Sequence, residues 1–121
     1  MKYAMFLNND ASDVARWKGM SEDDARQARA AEVPKWNALF ERMQAREQWL
    51  SGLELDEPDT AKVVRVVNGE TVVTDGPYAE TKEFVGGLFV VECADLDEAI
   101  ELAASVPLAS RGSVEIRPVD E

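Results

Sequence analysis

Histidine is missing from all 121 residues. It is the side chain that trades protons most readily near neutral pH and the commonest metal ligand. Its absence excludes a His-based triad, a His–carboxylate dyad and a His-ligated zinc site within one chain. The lone cysteine, Cys93, can neither close an intrachain disulfide nor build a Cys-rich zinc centre, so no metal site is expected and a reducing compartment fits. Long apolar runs are missing too. No stretch approaches a membrane span. The opening segment Met1 to Leu7 turns polar at Asn8-Asn9-Asp10 without a small-residue cleavage site. The expectation is a cytoplasmic protein away from membranes. No Gly-rich βαβ fingerprint appears, so no nicotinamide, flavin or other cofactor is expected. Basic charge is scarce: 13 Lys and Arg stand against 24 Asp and Glu, a formal net charge of −11. Such a field repels phosphate backbones and anionic lipid, which argues against nucleic-acid or membrane-surface partners.

What is there reads as one globular domain spanning residues 1–121, with 45% apolar and 31% charged residues. Residues 2–7 form a first strand that is apolar on both faces. A polar stretch from Asn8 to Met20 follows, with Trp17 expected to fold back over the core as a lid. Ser21-Glu22-Asp23-Asp24 starts a helix, with an N-cap serine and acids facing the positive end of the helix dipole. Pro34 either kinks this helix or begins a second one. Trp36, Leu39, Phe40 and Met43 fall at the spacing of a core-facing stripe. Gln48 to Leu55 reads as a short irregular strand, and the acids around Pro58 as a solvated turn, because their spacing does not match a calcium loop. Residues 62–67 and 71–74 are β-branched runs joined by Asn68-Gly69, a strong hairpin signal. Residues 88–91 read as a central strand, and Gly86-Gly87 as a bulge or close backbone approach. Asp95 and Glu98 make a capping box for a last helix with the stripe Leu96, Ala99, Ile100 and Ala103. Residues 113–119 form the final strand.

This order predicts an α+β fold: a ferredoxin-like antiparallel sheet with helices on one face and an inserted β-hairpin, of the kind that pairs into a dimeric α/β barrel. Two helical segments cover only one sheet face. The strands near 3–7, 63–67 and 88–91 are nevertheless apolar on both, and each exposed large aliphatic side chain forgoes about 1.5–3 kcal/mol of burial. A second copy of the sheet, placed face to face around a two-fold axis, is the economical cover. A homodimer is therefore expected. A different partner protein or a curled sheet ranks below it.

Thr74-Asp75-Gly76-Pro77-Tyr78-Ala79-Glu80-Thr81-Lys82-Glu83, followed by Gly86-Gly87, resembles the signature of the YCII-related family in its DGPF-type branch, with Tyr78 where that branch usually has Phe. The opening Met1 to Met5, the run Asp95 to Ala99 and the segment Arg111 to Val119 resemble the same family. The resemblance implies a dimeric ferredoxin-like α+β barrel with a cleft. It also implies a link, in some relatives, to sigma factors of the extracytoplasmic-function class. In enzymatic relatives it implies a His-Asp pair whose histidine falls near Pro34-Lys35-Trp36-Asn37. No histidine stands there, whereas Asp75 keeps the aspartate position.

Asp75 is thus the candidate catalytic residue, a general base if burial raises its pKa, set against a plain turn-forming role. Tyr78, Lys82, Glu115 and Arg117 are candidate ligand-binding residues. Tyr78 offers a hydroxyl, set against a packed turn aromatic. Lys82 either pairs with Asp75 or holds an anionic substrate. Glu115 and Arg117 share the strand face opposite Val114 and Ile116 and so point toward a dimer cleft, as ligands or as a register-fixing ion pair. Two functions compete: a dimeric module binding a small molecule or a regulatory partner, and a cofactor-free enzyme of lyase or isomerase type using Asp75 as proton acceptor on a small organic substrate. A buried Asp75 in an apolar cleft would favour the enzyme, and an exposed one bonded within its own turn the module.

Overall fold

A computed structural model describes residues 1–76 and 82–120. Alternation of apolar residues sets the first strand: Tyr3, Met5 and Leu7 of β1 (Lys2–Asp10) point to one side and are buried. β1 pairs antiparallel with β5 (Glu83–Glu92) and β6 (Ser113–Pro118), and β5 pairs with β2 (Trp49–Glu54), giving the sheet order β2-β5-β1-β6. Register places Tyr3 opposite Val91, Met5 opposite Phe89, and Leu7 opposite Gly87 and Val114. These residues face α2 (Glu22–Ala45) and α3 (Leu96–Ala104) and make the core with Leu39, Met43, Ala99, Leu102 and Val106. The strand order and the two covering helices are those of a ferredoxin-like α+β fold, as the sequence predicts.

Local signals explain the helix starts. The Ser21 hydroxyl accepts from the Asp24 N–H, and the Asp95 carboxylate accepts from the Glu98 N–H. α2 runs unbroken through Pro34, so the ring interrupts neither the helix nor its core contacts. The stripe of α3 is shifted from the expected one: Ala99, Leu102 and Ala103 are buried, while Leu96 and Ile100 stay about half exposed. The sheet approaches α3 from that side, and tertiary packing outweighs the helical pattern.

The stretch Asn8 to Met20, read from the sequence only as polar, is structured. β1 continues through Asn8, Asn9 and Asp10, paired with Val85, Phe84 and Glu83. A further helix, α1 (Ala11–Lys18), follows at once. Asp10 caps it by accepting from the N–H groups of Ser12 and Asp13, a start signal that the polar composition hides. Trp17 lies on α1 and does not join the buried core, so the expected lid over the core is not formed.

The hairpin forms as its turn demands. β3 (Lys62–Val67) and β4 (Glu70–Asp75) are joined by Asn68 at φ 52° and Gly69 at φ 79°, the positive angles that a type I′ turn needs at both central positions. It stands as its own two-stranded sheet. Val64, Val66 and Val73 share one of its faces and remain largely exposed, Val66 at 72%. The face of the main sheet turned away from the helices carries Ala4, Phe6, Leu88 and Val90, all half-buried, beside the exposed Leu53.

Pro34 sits exposed in a helix interior, where proline costs about 3 kcal/mol relative to alanine. Pro34→Ala should therefore stabilise the fold by about 1–3 kcal/mol in urea unfolding. A loss of stability would show that the ring's own packing on α2 outweighs the cost of proline in the helix.

Candidate functional site

A charged clasp joins three distant parts of the chain. Arg111, just beyond the turn Pro107–Ser110, forks onto Glu32 of α2, with Nε donating to Oε1 at 2.8 Å and Nη2 to Oε2 at 3.0 Å. Its Nη1 donates to Oδ2 of Asp13 on α1 at 3.1 Å. Asp13 also accepts from Arg16 at 2.7 Å and from the Trp17 indole at 3.1 Å, and Glu32 accepts from the Trp36 indole at 3.4 Å. The guanidinium of Arg111 lies 5.5 Å from the Trp17 ring centroid, within cation–π range. The bidentate fork is the geometry that arginine alone provides.

The titration behaviour follows from these contacts. Hydrogen bonds from Arg111 outweigh desolvation and hold the Glu32 carboxyl below its ordinary pKa. Burial works against charge on Asp13, but the Arg16 and Arg111 guanidinia together overcome it and lower its pKa as well. Arg111 is in turn raised, chiefly by its hydrogen bonds to Glu32. All three groups are locked in their charged forms at neutral pH.

Beside the clasp a groove opens between α2 and the helix-facing side of the sheet. Its larger lobe holds about 580 Å³ and is walled by Trp36, Phe40, Trp49 and Phe89. The rings pack edge to face: Trp49 and Phe89 are 5.1 Å apart at 70°, Phe40 and Trp49 5.4 Å apart at 71°. A smaller lobe of about 330 Å³ runs under Trp17 and Phe84. The two lobes share Asn9, Arg29, Glu32, Glu54, Gly86 and Arg111. A β-carbon at Gly86 would meet the end of the Asn9 carboxamide and push that side chain aside. The bulge or close approach expected at Gly86-Gly87 is found: the pairing steps from Leu7–Gly87 to Asn8–Val85 and skips Gly86, and both glycines line the groove. Volume and apolar lining match a small-molecule pocket. Among the described residues, no three acidic or thiol side chains gather as a metal-binding group.

The candidates read from the sequence lie elsewhere. Asp75 ends β4 directly opposite Lys62, pairs with it rather than with Lys82, and is exposed at 83% of its side chain. The Lys82 side chain is exposed, and its carbonyl accepts from the Ala11 N–H at 2.7 Å. Glu115 pairs in register with Phe6 and Arg117 with Ala4, on the sheet face turned away from the helices. Tyr78 falls outside the described residues. None of Asp75, Lys82, Glu115 and Arg117 lines the groove. Sequence reasoning missed Asn9, Asp13, Arg29, Glu32 and Arg111. Glu32 with Trp36, and Asp13 with Arg16 and Trp17, each about one helical turn apart, were the local signals.

Compared with known proteins, residues 1–121 match the YCII-related domain. An uncharacterized protein of Rhizobium meliloti (strain 1021) is 36% identical over 122 residues, covering 98% of this chain and 92% of the relative.

Removing the clasp tests its role. Arg111→Met leaves Glu32 without its counter-charge and Asp13 with Arg16 alone. It should cost about 2–3 kcal/mol at pH 7, less than for a fully buried pair because the site is partly open. Both carboxyl pKa values are depressed by folding, so this stability is complete above the ordinary carboxylate range and is lost as pH falls through the lowered values. The deficit of the variant should therefore shrink below about pH 4. A deficit independent of pH would assign Arg111 a packing role alone.

Proposed function

Because the chain belongs to the YCII-related family, whose fold its strands and helices build, we propose that it works as a homodimeric small-molecule-binding module of the cytoplasm. The observation that carries this reading is the aromatic groove between α2 and the sheet. Its rings offer a large, rigid apolar surface. The clasp of Arg111, Glu32 and Asp13 holds the groove's polar end in one arrangement.

The groove is equipped for holding rather than for proton transfer. A general base works best with a pKa near the operating pH. The two acids of the clasp are held below the usual carboxylate range and already carry arginine partners. Asp75 is exposed at the base of the hairpin, paired with Lys62. The stretch where the resemblance implies a histidine in enzymatic relatives includes Trp36, which here walls the groove.

The dimer is supported by apolar surfaces that stay partly or largely open among the described residues. Phe6, Leu88, Val90 and Leu53 lie on the outer sheet face, and the hairpin adds Val64, Val66 and Val73. A two-stranded hairpin is marginal alone in water, so a partner surface for its valines favours its folding. Glu115 and Arg117 border the outer sheet face and are placed for ion pairing across the dimer.

Two measurements test the reading. Sedimentation equilibrium should return twice the chain mass, and Leu88→Glu should return the single mass with its circular dichroism intact. A compact native monomer would remove the dimer. Titration with the neutral probe 3-phenylpropanol should shift amide resonances at Leu7, Gly52, Gly87 and Phe89 together with the Trp36 indole. Shifts confined to the hairpin valines, or no saturable shift at all, would remove the binding site.

A further inference from the structure

We infer that the groove takes a small zwitterion, a molecule with an apolar or aromatic body that carries both a carboxylate and an ammonium group, as amino acids do. This rests on the binding reading above and adds the chemical class of the ligand.

Most charged groups at the groove are already committed. Asp13 and Glu32 are held by Arg111 and Arg16. Lys18 pairs with Glu57 at 3.6 Å. Of the charged side chains lining the two lobes, Arg29 and Glu54 then remain, and neither makes an ion pair or side-chain hydrogen bond among the described residues. Asn9 is the third uncommitted polar group: its carboxamide lies across Gly86 with no side-chain hydrogen bond among the described residues. All three border both lobes, at the polar rim of a chamber otherwise walled by Trp36, Phe40, Trp49 and Phe89.

Among the described residues, one uncommitted cation and one uncommitted anion border the same lobes, and together they discriminate by charge type. A ligand with only a carboxylate satisfies Arg29 but meets Glu54 and a chain of net charge −11. A ligand with only an ammonium satisfies Glu54 and meets Arg29. A zwitterion satisfies both and is not repelled at long range. Arg29 suits the carboxylate through its two parallel N–H donors, and Glu54 accepts from the ammonium. Asn9, with donors and an acceptor on one amide, serves either group. Wrong-charge ligands are rejected because they set like charges side by side, which is how a site gains specificity beyond its attractive contacts.

The test uses four probes with one phenyl body: L-phenylalanine, 3-phenylpropionate, 2-phenylethylamine and 3-phenylpropanol. Binding is followed by tryptophan fluorescence and calorimetry on the full chain. L-phenylalanine should bind about tenfold more tightly than either singly charged probe, the factor that one charge-assisted hydrogen bond supplies. Arg29→Gln should abolish its advantage over 2-phenylethylamine, and Glu54→Gln its advantage over 3-phenylpropionate. Both positions are exposed, so both variants should fold, as thermal melts will confirm. Equal binding of all four probes, or tighter binding of a singly charged one, would overturn the zwitterion assignment while the groove reading stands. Failure of all four to bind would take both down.

Discussion

A single guanidinium shared between carboxylates from two helices ties α1, α2 and the segment before β6 together. Arg111 stands 98 residues from Asp13 and 79 from Glu32 in sequence, yet all three meet within hydrogen-bond distance. α1 is a helix of 8 residues without a buried side chain, too short and too polar to hold its place by propensity or burial. Its anchorage comes from its Asp10 cap, from the continuous strand before it and from Asp13 on Arg111. Without that bond the rim of the smaller lobe, including Trp17, would lose its reference to α2 and β6.

The fold separates two surfaces that sequence pattern alone runs together. Strands apolar on both faces announce a sheet with two jobs. One face, under α2 and α3, makes the core and, where the helices diverge from the strands, the aromatic groove. The other carries Phe6, Leu88 and Val90 and the flanking Glu115 and Arg117. A cleft on that outer face is what the pattern of β6 suggests. The chamber found among the described residues lies on the inner face, where Trp36, Phe40, Trp49 and Phe89 wall it and Gly52, Gly86 and Gly87 line it.

How much was legible follows the range of each interaction. The hairpin turn at Asn68-Gly69 and the caps at Ser21 and Asp95 are set by residues within a few positions of one another, and their signals are local; the strand order rests on distant pairings such as Lys2 with Glu92 and followed from the succession of elements along the chain. α1 was hidden because Val14 and Trp17 give too little apolar periodicity to reveal a helix among polar neighbours. The clasp was hidden for a different reason. Asp13, Glu32 and Arg111 are each unexceptional charged residues in the sequence, and only the folded chain brings them together. Asp75 drew attention through its motif, yet the strand register puts it opposite Lys62 at the foot of an exposed ribbon.

That ribbon has a consequence for how the chain behaves in a crowded solution. Both outer edges of β3 and β4 lack a neighbouring strand among the described residues, and open edges on valine-rich strands are templates for accretion by further chains. Lys62 and Asp75 at its foot and Arg65 and Glu70 toward its tip interrupt the valines with charge, and the surplus of acids keeps molecules apart. Near the sequence isoelectric point of about 4.4 that mutual repulsion vanishes, and the ribbon becomes the natural seed of precipitation.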